Sequence, residues 1–362
     1  DWSADFTSSL TTENKKVLNS GDFNDQNVSL NTITLKKNIL DFGVTENLVA
    51  IAKNNISIAV NELRSAKQNL FIDTLVSYLD LFNSYKIIKL RESNVNRFKR
   101  AVEASKLKLI AGTITPTSVS EAEARLARSE YEFALSKSEK INIENNFKSL
   151  VSKKFEIQKL IFPSFINNLP NNIDEAMEFA IKTNLSLINS KLKRENAFLL
   201  KKTQVYSNNP SLDINFHIKD SEDYSNNLSN DYTSYGSTIT FKTSLFNNKY
   251  EKNLILSLDN EFKALVMDEK ETFKKVKLNT LSIFNNYINS DINVKAAIKE
   301  LNAAKLALNG IKKEEEFGLR TLLDVFDSEV DVINSEVRML KSRSEQVINK
   351  YKLLIDIGKL KL

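Results

Sequence analysis

The residues best placed to do chemistry lie in GLRTLLDVFDSE, residues 318 to 329, where Asp324 and Asp327 stand three apart among Leu322, Leu323, Val325 and Phe326. Acids in a first helical turn cap it and complement its dipole, an effect worth about 0.3 to 1 kcal/mol. Catalysis asks for more than two acids. His217 is the sole histidine, and one imidazole on a strand is no metal site. Glu121 and Glu123 lie on a regular helix facing different directions, which suits a solvated face rather than acid catalysis. The chain carries no nucleophile-base set, no Gly-rich phosphate loop and no metal constellation, so it reads as a non-enzyme without a cofactor.

The elements that hold these acids are long. Only 7 Gly and 4 Pro punctuate 362 residues, and no cysteine offers a disulfide or a thiolate. Charged residues make up 27% with both signs mixed, so the net charge of +5 is a small excess and no basic cluster tracks a phosphate backbone. Nucleic acid is excluded as a partner on that ground. No run of about 18 apolar residues exists, and DWSADFTSSL lacks the basic and apolar regions of a signal peptide. A membrane would have to be met by a closed β-barrel, the other structure that satisfies every backbone group in hydrocarbon.

The chain repeats itself. An offset of 206 sets NTITLKKNIL (31 to 40) on STITFKTSLF (237 to 246) without a gap, and holds through Asn83/Asn289, Gly112/Gly318, Glu123/Glu329 and Ser138/Ser344. The second copy has a lead-in, residues 163 to 208, whose counterpart would precede residue 1. The repeat thus predicts that roughly forty mature residues and a signal peptide are missing ahead of Asp1.

Within each copy the periodicity switches once. Residues 28 to 41 and 235 to 246 alternate apolar with polar, each following another candidate strand (2 to 11 and 211 to 219) across the polar loops NKKVLNSGDFNDQ and DSEDYSNNLSNDY. Apolar spacings of three and four then take over. With no proline from 44 to 111 or from 250 to 317, each stretch reads as one helix of 68 residues, about 100 Å long at ~1.5 Å per residue. Gly310 is the only interior weak point. Gly112 and Gly318 suit C-caps with positive φ. Thr115 before Pro116, and Thr321 with Asp324 three on, suit new N-caps, so helices return over about 116 to 153 and 322 to 357.

The fold class is therefore α+β and mostly helical, a tandem repeat of a β-hairpin and a long α-helical hairpin. The expected boundaries are 1–43 for the first β-hairpin, 44–158 for the first helical hairpin and 159–209 for a linker with helices. The second β-hairpin follows over 210–248 and the second helical hairpin over 249–362. Four strands cannot close a membrane barrel, since known ones start at about 8, and an isolated amphipathic sheet would expose its edges. Several copies must share one barrel. Trp2, Tyr224, Tyr232 and Tyr235 read either as membrane-interface aromatics or as ordinary loop residues.

Paired strands, the long helices, the lead-in NNPSLDINF and above all FGLRTLLDVFDSEVDVINSE resemble the TolC-like outer-membrane efflux protein family, whose hairpin turn has the pattern Gly-x-Arg-Thr-x-x-Asp-Val-x-Asp. The resemblance implies a homotrimer whose twelve strands form a barrel in outer-membrane lipid, continuous with a twelve-helix tunnel across the periplasm. It implies a passive duct for small molecules or secreted proteins, as in drug efflux or type I secretion, docked by its hairpin tips (Gly112, Thr113, Gly318 and Leu319) to a periplasmic adaptor and an inner-membrane pump. Asp324 and Asp327 would form stacked rings of three at the periplasmic constriction. Arg320 matches the family's lock residue and Thr117 one of its partners. Ser118 and Glu315 depart from the family's Asp and Tyr, so the expectation is a rewired lock with Glu121 as a candidate carboxylate partner for Arg320. Converging carboxylates repel, raising some of their pKa values and attracting cations. The alternative from another class is a soluble coiled-coil scaffold or adaptor, and a third is a pore-forming toxin. A scaffold, however, has no use for two matched amphipathic β-hairpins.

Overall fold

A computed structural model describes residues 2–16, 23–151, 160–163, 169–223, 231–243 and 249–360. Its elements run β1 (Trp2–Lys16), β2 (Phe23–Leu40), α1 (Val44–Ile110), α2 (Pro116–Leu150), α3 (Ile173–Thr183), α4 (Leu185–Tyr206), β3 (Ser211–Asp223), β4 (Tyr232–Lys242), α5 (Lys249–Glu316) and α6 (Leu322–Asp356). They fall into two compact units: residues 1–59 with 189–270, and residues 60–188 with 271–362.

In the first unit the four strands make one antiparallel sheet in the order β1-β2-β3-β4. The central pairing joins the two copies of the repeat, with Ile33 opposite Ile218 and Leu35 opposite Phe216. Register sorts the side chains, because strand residues alternate between faces. One row across the sheet reads Phe6, Ile33, Ile218, Tyr235, and another reads Trp2, Lys37, Ile214, Ile239. The opposite face carries Asp5, Thr34, His217 and Gly236 in a row, then Ser3, Lys36, Asn215 and Thr238. The apolar face is bare in the single chain: Phe6 is 69% exposed and Ile239 67%. Trp2 and Tyr235 belong to that face, and Lys37 lies over the Trp2 ring at 5.2 Å. Tyr232, opposite Ser221, falls on the other face by register. Tyr224 lies outside the described residues.

The strands outrun their alternation. Residues 14–16 and 23–26, expected in a polar loop, pair as strand, as in Asn14 with Asp25. β3 likewise runs on to Asp223, and β4 starts at Tyr232. Backbone pairing needs no apolar side chain, so a ladder in polar surroundings continues where the hydrophobic signal stops. The expected tail of the last strand beyond Lys242 reaches residues 244–246, outside the described ones.

Helix α4 packs in this unit against the starts of α1 and α5 by polar contacts. Asn54 Nδ2 donates to Asn196 Oδ1 at 3.0 Å, Lys201 Nζ meets Asp259 Oδ1 at 2.6 Å and Arg194 meets Glu269 at 2.9 Å. Lys201 and Lys263 together lower the Asp259 carboxyl to about 2.

The second unit holds the rest of α1 and α5 with α2, α3 and α6. One core gathers Phe284, Leu353, Leu354, Ile357 and Ala176, and a second gathers Phe98, Val102, Ala122 and Phe326. Beside the first, the buried Asp356 carboxylate accepts from Thr280 Oγ1 at 2.6 Å and Asn279 Nδ2 at 3.3 Å. Tyr78 pins residues 160–163 to α1, its hydroxyl donating to the Ile161 carbonyl at 2.6 Å. The return helices end at Leu150 and Asp356, against the expected 153 and 357. No described helix is long and apolar enough to cross a membrane.

Candidate functional site

The two helical hairpins turn at Gly112 and Gly318, with φ of 70° and 74°. That region of backbone space is open to glycine at little cost. Each turn closes the same way: Gly112 N donates to the Leu109 carbonyl and Gly318 N to the Glu315 carbonyl, both at 2.9 Å. Both following helices are capped by threonine. Thr115 accepts from Ser118 N at 3.4 Å. Thr321 forms a full capping box, its hydroxyl accepting from Asp324 N at 3.2 Å while Asp324 Oδ2 accepts from Thr321 N at 2.8 Å.

The box decides what Asp324 is. Its hydrogen bonds from the Thr321 backbone and hydroxyl, with Arg320 nearby, hold the carboxyl below the usual range. Within one chain this is the reverse of the upward shift expected from converging acids, because donated hydrogen bonds favour the charged form. Asp327 is exposed and bound by both guanidinium nitrogens of Arg125 on α2, Nη2 to Oδ2 at 3.1 Å. The acids therefore do two jobs, one local and one between hairpins.

A cavity of about 360 Å³ between the tips gathers Thr113, Ser118, Glu315, Gly318 and Arg320. Phe326 floors it and packs edge-on against Phe98, ring centres 5.0 Å apart. Arg320 Nε donates to Glu314 Oε2 at 3.0 Å, so within the chain its carboxylate is Glu314 and not Glu121. Glu314 sits in the last turn of α5, six residues before Arg320, whereas Glu121 is exposed on α2. Glu314 and, behind it, Asp324 raise the Arg320 pKa further. Glu315 meets Lys108 Nζ at 3.3 Å. Thr117 is exposed, and Gly112 and Leu319 lie at the outer ends of the turns with Leu319 76% exposed.

Four ion-pairing residues of the helical hairpins escaped the sequence reading: Arg125, Lys108, Glu314 and Glu329. Glu329 is buried and meets Lys312 at 2.9 Å and Arg97 at 3.8 Å. Its pair with Lys312 repeats Lys106 with Glu123 at 2.8 Å, so the 206 offset carried the signal for it. Arg125 had none, since its counterpart is Asp331. His217 stands over Gly236, where an added Cβ would come within 3.0 Å of the imidazole, a packing role.

Residues 3–151 match the model of the family "Outer membrane efflux protein". The chain is 21% identical over 328 residues to the outer membrane efflux protein BepC of Brucella suis, covering 91% of this chain and 72% of BepC. It is 19% identical over 313 residues to the outer membrane protein TolC of Escherichia coli, of whose length it spans 62%. Among solved structures, CusC superposes with a TM-score of 0.78 at 12% identity, covering 99% of this chain and 83% of that one. VceC of Vibrio cholerae superposes with a TM-score of 0.76 at 16% identity, covering 99% and 87%. With the duplicated hairpins, the bare amphipathic sheet and the tip motif, these likenesses converge: residues 3–151 carry the pattern of the outer membrane efflux protein family, and the whole chain has the fold of CusC and VceC.

Proposed function

We propose that three copies of this chain assemble into a passive exit duct, with a twelve-stranded barrel in the outer membrane and a twelve-helix tunnel beneath it. The observation that carries this reading is the four-stranded sheet with one apolar and one polar face and two free edges, β1 and β4. Pairing β4 of one copy with β1 of the next abolishes the edges, turns the apolar rows to lipid and leaves the polar rows lining a lumen. A soluble scaffold would leave that apolar face in water.

The hairpin tips would dock a periplasmic adaptor working with an inner-membrane pump. Exposed apolar side chains there support this, with Ile110 83% and Phe317 79% exposed. The cargo would be small molecules or secreted proteins. Asp324 and Asp327 would ring the constriction, and Arg320 would stand where the family places its lock. With Glu314 already bound to Arg320 and Ser118 in place of a carboxylate, that lock is weak between copies.

The test is detergent extraction from the outer membrane, native mass and recording in planar bilayers. A trimer that conducts supports the duct, and a monomer or an inert trimer rejects it. Because Arg125 compensates Asp327, Asp324→Ala is expected to lower cation selectivity and multivalent-cation block more than Asp327→Ala does. Reversal potentials in a salt gradient check this, and unchanged selectivity in both variants would remove the acid rings from the mechanism.

A further inference from the structure

Three ion pairs join the first helical hairpin to the second near the tips: Arg97 with Glu329 at 3.8 Å, Lys108 with Glu315 at 3.3 Å, and Arg125 with Asp327. In each the cation comes from the first hairpin and the acid from the second. Further from the tips, the same two hairpins are joined by Asn83 Nδ2 donating to Ser344 Oγ at 2.9 Å.

In a ring of alternating hairpins there is a second kind of seam, where α5 and α6 of one copy meet α1 and α2 of the next. The 206 offset predicts its contents. The offset preserves geometry where both copies are visible, as Lys106–Glu123 and Lys312–Glu329 form at 2.8 and 2.9 Å. Carried to the seam between copies, the three cations become Ala303, Glu314 and Asp331, and the three acids become Glu123, Leu109 and Glu121. Every cation is lost, and two are replaced by acids. The hydrogen-bonding pair, by contrast, becomes Asn289 and Ser138, the same residue types, both exposed in the single chain. Asp331 and Glu121 are also exposed and, among the described residues, neither has an ion-pair partner.

We propose that the second copy docks through a seam closed by Asn289 and Ser138 away from the tips but unlatched at the tips, where Asp331 faces Glu121 of the partner subunit. The seam within each chain stays shut under its three ion pairs, and the seam between chains is where the tunnel end parts. Like charges across a contact cost energy where opposite charges hold it together. The inference rests on the trimeric reading above and gives that reading a specific opening line.

The chain has no cysteine, so Glu121→Cys with Asp331→Cys places a unique pair at the seam. Mild oxidation is expected to give disulfide-linked trimers in denaturing gels, with little bond formation within a chain. Separately, Asp331→Arg recreates the Arg125–Asp327 chemistry between copies and is expected to lower single-channel conductance several-fold. Adding Glu121→Arg should restore it. A wild-type chain that is not trimeric by native mass refutes the assembly itself. If the wild-type chain is trimeric but the double-cysteine variant forms no cross-link between copies, or Asp331→Arg conducts as wild type, the assembly stands and the unlatched seam is overturned.

Discussion

At the scale of single residues, Asp356 carries the clearest pH signature. Burial pushes its carboxyl up, and the hydrogen bonds from Thr280 and Asn279 offset only part of that. A carboxyl whose folded pKa lies above its unfolded one contributes stability that is full below the unfolded value and is lost as pH rises through the folded value. Asp356→Asn keeps the shape and cannot ionise. It is expected to raise the thermal midpoint at neutral and mildly alkaline pH, with the gain shrinking toward zero in acid; melting curves across that range check it. A midpoint lowered equally at every pH would mean the site prefers a carboxylate. YKLLIDIGKL gave no hint that this acid is buried, because burial comes from α3 and α5, far away in sequence. The caps Thr115 and Thr321 were legible, since a cap and its partner lie three residues apart. Arg125 and Asp327 are 202 residues apart, and no local pattern reports such a pair.

At the scale of elements, two glycines of the second helical hairpin contrast. Gly310 lies inside α5, and a Cβ there meets nothing within 4 Å. Gly310→Ala is therefore expected to stabilise the helix by about 0.5 to 1 kcal/mol. Gly318 has equally open surroundings but φ of +74°, so the backbone alone sets the cost. Gly318→Ala is expected to destabilise by about 1 to 2 kcal/mol. Hydrogen exchange at the second hairpin and denaturant midpoints read the two opposite signs. Both long helices were legible because proline is absent and the apolar spacing is helical over their whole length. The strand ends were not, because residues such as Asn14 and Asp25 are held by pairing and show no alternation.

At the scale of the whole molecule, the prediction concerns the open edge. Proline at both Thr238 and Ile239 in β4 removes one donor on each side of the strand. The double variant is expected to lose the trimer, by native mass, while circular dichroism keeps its helical content. A trimer that persists would place the junction between copies elsewhere. The repeat made the paired hairpins legible, but only the coordinates reveal that β2 and β3 join them into one sheet. That pairing also sets an order of events in biogenesis. Leu40 pairs with Leu212, so the entire first helical hairpin is synthesised between the two partners. Contacts closing so large a loop form late and slowly. The first β-hairpin must therefore leave the ribosome with an unmet strand edge, and until β3 arrives it depends on whatever shields it from aggregation.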